Sequence, residues 1–213
     1  MKKILIFSAG SAGREIFQLI NSINQHKKEW KVVGYVDDNL SKKLQKIDDV
    51  KIFSNNNKPC RKEIYAVTGL MDPTLRGKIY SKEIIKNGYG IPNLIHPSVE
   101  LPKCFKFGKG NIIFSNVHIS FEVSIQDFSI ISNFCDVGHN LISKDLLTLM
   151  PSAIVGGNCN IGYSALLGSG VKILQNIKIG DNCKIGIGCT VTSNIASGTS
   201  VIEYQRKAIK KND

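Results

Sequence analysis

From Leu101 to Val191 an apolar residue stands at every sixth position: Leu101, Phe107, Ile113, Ile119, Ile125, Ile131, Val137, then Leu149, Val155, Ile161, Leu167, Ile173, Ile179, Ile185 and Val191, with Ser143 the one interruption. A fixed period marks a repeat architecture. Six matches neither an amphipathic helix nor a plain alternating strand. It matches a flat-sided parallel β-helix in which each hexad supplies one short strand and one turn. Three hexads close a coil, so the run covers about five coils, a prism about 25 Å tall at about 4.8 Å per coil.

The rest of the hexad agrees. Two residues before each anchor the side chain is mostly small or apolar, as at Val117, Val123, Ser129, Cys135, Ala153, Cys159, Ala165, Val171, Cys183 and Cys189. Strand side chains alternate, so this position shares the interior with the anchor. Four of the six cysteines therefore read as small buried hydrophobes, and with no CxxC pair a zinc site is not expected. Glycine often follows the anchor (Gly108, Gly138, Gly156, Gly162, Gly168, Gly180, Gly186), which predicts a positive φ or tight bend there. After His139 the pattern is disturbed at Leu141, Ser143, Leu146 and Leu147, and a local break in a repeat is either a tolerated bulge or a functional feature.

Before Ile95 the period changes. A buried-strand run at 3–8 precedes Ser8-Ala9-Gly10-Ser11-Ala12-Gly13 and a helical pattern from 14 to about 26. Strands are predicted at 30–36, ending at Asp37-Asp38, and at 64–68, ending at Gly69, with a helix from 73 to about 87. Strands alternating with helices indicate a parallel α/β unit. The glycine loop stands where helix N-terminal N–H groups meet phosphates, and Asp37 stands where a carboxylate could bond a ribose hydroxyl. Ser8 replaces the first glycine of a dinucleotide fingerprint. The loop fits a nucleotide or nucleotide-sugar, a ligand-free turn or, less well, NAD(P).

The net charge is +11, in short clusters at Lys2-Lys3, Lys27-Lys28, Lys42-Lys43 and 206–211. This reads as solvated surface or as attraction to polyanionic small molecules such as coenzyme A. Nucleic acid is not the expected partner, since aromatics do not interleave with the basic residues. There is no signal-peptide pattern and no run of about twenty apolar residues, so a soluble cytoplasmic protein without membrane insertion is expected. Of the four histidines, His26 should face solvent, His96 should serve a turn at the domain junction, and His118 and His139 fall in the coils. His139, two residues past anchor Val137, should point outward beside a corner, either as a general base or as a surface residue.

Phe7-Ser8-Ala9-Gly10-Ser11-Ala12-Gly13, Asp37-Asp38, Asn93-Leu94-Ile95-His96-Pro97-Ser98, Gly138-His139 and the hexads ending Ile179-Gly180-Asp181-Asn182 and Ile185-Gly186-Ile187-Gly188 follow one another in an order that resembles the sugar acyltransferases of the left-handed β-helix superfamily. The branch resembled is that of the bacillosamine-pathway and perosamine N-acetyltransferases and the sialic acid O-acetyltransferases, and the resemblance covers nearly the whole chain. It implies a small Rossmann-like α/β domain over residues 1–94 and a left-handed parallel β-helix with a short basic tail over 95–213. It implies a homotrimer with acetyl-CoA between neighbouring prisms, no metal, and a nucleotide-linked amino sugar held by the N-terminal domain. His139 would be the base, oriented by Asn140, with a main-chain N–H near Gly157 as oxyanion donor. Thr148, Gly157, Ser169 and Ile187 would line the coenzyme A groove. Gly10, Ser11, Ala12, Asp37, Asp38 and Gly69 would line the nucleotide pocket.

Three positions depart from the family pattern. Asn140 stands where an acidic residue usually orients the histidine, which implies a weaker base or an amine bound neutral. Thr148 replaces a histidine, and Val201-Ile202-Glu203-Tyr204-Gln205-Arg206-Lys207 replaces the C-terminal Gly-x-Pro-Ala-Lys signature. The expected activity is acetyl-CoA-dependent N-acetylation of a nucleotide-linked 4-amino-4,6-dideoxy sugar by direct attack. The alternatives are sugar O-acetylation of the sialic acid type and a non-catalytic scaffold.

Overall fold

The computed structural model describes residues 1–59 and 63–203; the expected basic tail at 206–211 lies outside them. The N-terminal unit is built from β1 (Lys2–Phe7), α1 (Ser11–His26), β2 (Trp30–Val36), β3 (Lys46–Ile47), β4 (Val50–Phe53), β5 (Ile64–Thr68) and α2 (Pro73–Ile79), which continues as a wide helical turn over Tyr80–Ile85. Its sheet has the order β3-β4-β2-β1-β5. All pairs are parallel except β3/β4, so the sheet is mixed. The β3–β4 hairpin has no counterpart in the sequence reading. Its turn is Asp48-Asp49, both at positive φ, without the Asn-Gly or Asp-Gly pair that signals a hairpin most strongly.

The remainder is a triangular parallel β-solenoid. Face I has seven rungs, from Leu94–Ile95 through Ile112–Ile113, Ile130–Ile131, Thr148–Leu149, Leu166–Leu167 and Lys184–Ile185 to Ser200–Val201. Face II runs from His118–Ile119 to Thr190–Val191 and face III from Lys106–Phe107 to Lys178–Ile179, with five rungs each. The chain passes III to I to II, and rungs pair in parallel with the residue eighteen further on, as Ile131 with Leu149, except the last on face I, where Ile185 pairs with Val201, sixteen further on. Face I thus extends beyond the expected five coils, to about 29 Å at about 4.8 Å per rung.

Two sequence expectations change. The glycines after the anchors do not carry the positive φ; from Phe107 to Ile185 that conformation falls three residues after the anchor, at Asn116, Glu122, Asn140, Asn158, Asn176 and Asn182 among others. The glycines serve close coil-to-coil approach instead: a Cβ on Gly138 would lie 2.6 Å from Gly157 N, and one on Gly162 would lie 2.5 Å from Asp181 N. The disturbance after His139 is not a bulge. Ser143 and Leu141 both keep the register and both are fully buried. The large and small interior side chains have exchanged positions, which conserves core volume. The interior cysteines and the anchors form one core running the length of the prism, except Phe107, which is exposed on the first rung of face III.

The N-terminal unit and the solenoid meet on face I. Of the outward rung residues that the N-terminal unit covers, Leu94, Ile112 and Ile130 are apolar and join α1 residues Ile16, Leu19 and Ile20 in one cluster, while Thr148 is polar. Farther along, Lys184 and Ser200 are exposed. Arg76 of α2 is fully buried and pins the junction. Its guanidinium donates to the carbonyls of Leu70, Met71, Phe128, Leu146 and Leu147 and to Thr148 Oγ1, at 2.8–3.1 Å. None of these acceptors is a carboxylate, and burial lowers the Arg76 pKa to about 10. Leu146 packs under Gly77, where a Cβ would meet it at 2.9 Å, and Tyr80 stacks on Phe128 at 4.3 Å.

Candidate active site

His139 stands on the edge where face II turns into face III, half-buried and outside the prism. Three neighbours fix its ring. Phe121, one coil earlier, stacks on it with centroids 5.1 Å apart and planes 6° apart. Gly157, one coil later, lies beneath: a Cβ there would sit 2.5 Å from His139 Nε2, so only glycine leaves room for the ring in this pose. At the side, His139 Nδ1 is 2.8 Å from Asn140 Oδ1, and Asn140 Nδ2 donates to Glu122 Oε2 through a short hydrogen bond. The amide oxygen can only accept, so Nδ1 carries a proton, and in the neutral ring the lone pair is on Nε2.

The structure therefore brings His139, Asn140 and Gly157 together. Phe121 and Glu122 were absent from the sequence reading, although a signal exists: each lies eighteen residues before a residue of the site, one coil of the repeat. The Gly157 N–H has no recorded acceptor among the described residues. On the edge between faces III and I three of the equivalent N–H groups are capped by a carboxylate of the next coil, with Tyr163 N donating to Asp181 Oδ1 at 2.7 Å, Asp127 N to Asp145 Oδ1 at 2.9 Å and Lys109 N to Asp127 Oδ1 at 2.9 Å.

Thr148 corrects an expectation. It does not line an open groove; its hydroxyl is fully buried at the domain junction, accepting from Arg76 Nη2 at 2.8 Å and donating to the Met71 carbonyl at 3.0 Å. Face I is covered there, so no ligand reaches the side chain. Ser169 and Ile187 lie on the edge between faces I and II, away from the His139 edge of the same chain; Ile187 is strongly exposed. A concavity of about 600 Å³ on face III beside Lys144 and Lys178 is lined by none of His139, Asn140 and Gly157.

In the N-terminal unit the loop after β1 is tightly wound. Ser8, at the fingerprint's first glycine position, has φ 83°, a left-handed conformation that glycine adopts freely. Gly69 abuts the start of α1, where a Cβ would fall 2.6 Å from Gly13 N. Asp37 already accepts from the N–H groups of Ala9, Asn39 and Leu40, and Asp38 accepts twice from Asn55. Both carboxylates thus hold loops together. Asp38 also faces a polar cleft with Ser41, Lys42, Ser54, Asn56 and Asn57. Ser11 and Ala12 line a cavity of about 200 Å³ with Met71, Ser132, Met150 and Pro151. Gly10, the α1 N-cap, has no side-chain cap.

No protein-family model matches the sequence, and no curated protein matches it. Solved structures do. The acetyltransferase domain of PglB from Neisseria gonorrhoeae FA1090, in complex with acetyl coenzyme A, gives a TM-score of 0.82 at 18% identity, covering 93% of this chain and 95% of that one. PerB from Caulobacter crescentus, in complex with CoA and GDP-perosamine, gives 0.82 at 20%, covering 93% and 92%. WeeI from Acinetobacter baumannii AYE gives 0.66 at 20%, covering 94% and 96%. The chain shares its fold with these proteins over almost its whole length.

Proposed function

We propose that the protein is an acetyl-CoA-dependent N-acetyltransferase acting on the amine of a nucleotide-linked 4-amino-4,6-dideoxy sugar, on a left-handed β-helix. The observation that carries this reading is the His139 edge: an imidazole held at Nδ1 by an amide oxygen, lying over Gly157, whose N–H has no hydrogen-bond acceptor among the described residues. An amine attacking a thioester carbonyl needs a base for the proton it sheds and a donor for the oxygen that becomes negative. Nε2 takes the amine proton, the Gly157 N–H holds the oxyanion, and collapse expels the coenzyme A sulfur as a thiolate that takes the proton back from Nε2, leaving an amide and free thiol. The shared fold supports the co-substrates, since the PglB domain was crystallised with acetyl coenzyme A and PerB with CoA and GDP-perosamine. None of this chain's residues holds a metal in this scheme.

The nucleotide end is assigned to the loop after β1, with Gly10, Ser11, Ala12 and Gly69 at the α1 N-terminus and Asp37 and Asp38 beside it. That loop opens onto the edge between faces I and II, whereas His139 lies on the edge between II and III. One chain does not bring the two together, which favours a homotrimer in which His139 of one copy meets Ser169, Ile187 and the nucleotide loop of the next. No described helix is long and apolar enough to cross a membrane, and we assign the enzyme to the cytoplasm, where nucleotide-sugars and acetyl-CoA would be available to it.

The test is coenzyme A release with dTDP-, UDP- and GDP-linked 4-amino sugars set against free sialic acid. Turnover of at least one nucleotide-linked amine is the expected result. Turnover of sialic acid alone would convert the reading to O-acetylation, and no turnover with acetyl-CoA failing to raise the melting temperature would leave a scaffold.

A further inference from the structure

We infer that Glu122 is a positioning residue that selects the tautomer of His139 through Asn140, resting on the reading of His139 as the base. The argument is one of donors and acceptors. An asparagine amide has two chemically opposite ends and can present either to the imidazole. With Oδ1 toward Nδ1 the ring keeps its proton on Nδ1 and its lone pair on Nε2. With the amide reversed, Nδ1 must accept, the proton moves to Nε2, and the outward nitrogen is no longer a base. His139 and Asn140 alone satisfy both arrangements equally well. Glu122 breaks the tie, because a carboxylate offers only acceptors and Asn140 must turn its NH₂ toward it.

The frame around this chain is built. Glu122 N donates to Cys104 Sγ at 3.2 Å, Asn140 N to the Phe121 carbonyl at 3.0 Å and Asn158 N to the His139 carbonyl at 2.8 Å. Glu122 and Asn140 are both at positive φ, 55° and 56°, and are stacked one coil apart. The acidic group that family resemblance places beside the histidine is thus supplied here one coil earlier, through an amide. No proton passes to Glu122. Its negative charge lies behind the amide on the side where positive charge grows as Nε2 is protonated.

The test uses ¹⁵N-histidine-labelled full-length protein, with the His139 resonances assigned by their loss in His139→Ala. Wild type is expected to hold the Nδ1–H form. Glu122→Gln is nearly isosteric but can donate or accept, so it should yield a mixture of both tautomers and lower kcat about tenfold with little change in KM. Adding Asn140→Asp to Glu122→Gln restores an acceptor-only partner and should restore the Nδ1–H form. An unchanged His139 tautomer in Glu122→Gln overturns the inference. A tautomer that responds to Glu122 in a protein that turns over no sugar supports the inference and rejects the acetyltransferase reading.

Discussion

Two edges of the prism are made from the same turn and end up chemically opposite. On the edge between faces III and I the second residue after the anchor is Asp127, Asp145 or Asp181 in three coils, and these carboxylates reach back to the N–H of the preceding coil. Arg76 takes the carbonyls of the same edge, from Phe128, Leu146 and Leu147. That edge is closed. On the edge between faces II and III the same position is Phe121, His139, Gly157 and Gln175, and the Gly157 N–H is left beside an imidazole. A single hexad position thus decides whether a corner is capped by a carboxylate or leaves an N–H beside an imidazole.

The largest expected effect of breaking this contrast is on the closed edge. Arg76→Met strips donors from six acceptors in a dry junction and should cost about 3 kcal/mol or more, read as a lower denaturant midpoint; a change under about 1 kcal/mol would mean the clasp is redundant. On the open edge, Gly157→Ala places a Cβ where the His139 ring lies and should lower kcat about 10²-fold while the protein stays folded, since displacement by about 1 Å is enough for such a loss. Gln175→Asp imports the closed-edge device. If its carboxylate caps the Gly157 N–H as Asp181 caps that of Tyr163, kcat falls about tenfold with no loss of stability; undiminished kcat would remove that N–H from the mechanism.

The smallest effect concerns Asp72, the N-cap of the helix that carries Arg76. It accepts from Leu75 N at 2.9 Å and lies 3.4 Å from Lys184 Nζ. Asp72→Ala should cost about 1 kcal/mol at neutral pH. The backbone hydrogen bond from Leu75, foremost, holds the Asp72 carboxyl below its ordinary value. Its contribution is therefore complete above about pH 4 and is lost as pH falls through the lower folded value. Wild type and Asp72→Ala should converge in stability in acid; a constant difference down to pH 2 would exclude the ionised cap as the cause.

The sequence carried the solenoid well because periodicity is a local property. Anchors, interior cysteines and the outward placement of His139 all follow from register. What it concealed depends on neighbours outside the hexad. Arg76 meets Thr148 across seventy-two residues, and nothing local distinguishes a buried hydroxyl from one lining a groove, although apolar outward residues at Ile112 and Ile130 already mark face I as covered. Glu122 was missed for a different reason. Its link to His139 runs up the stack, where the relevant spacing is a full coil rather than one hexad.

The central claim is that His139 is the base of an acetyl transfer. The most direct measurement is the rate of the chemical step in His139→Ala, in single turnover with acetyl-CoA and the best nucleotide-linked amino sugar. The account predicts a fall of about 10²–10⁴-fold with both ligands still bound. A fall of less than about threefold would contradict it.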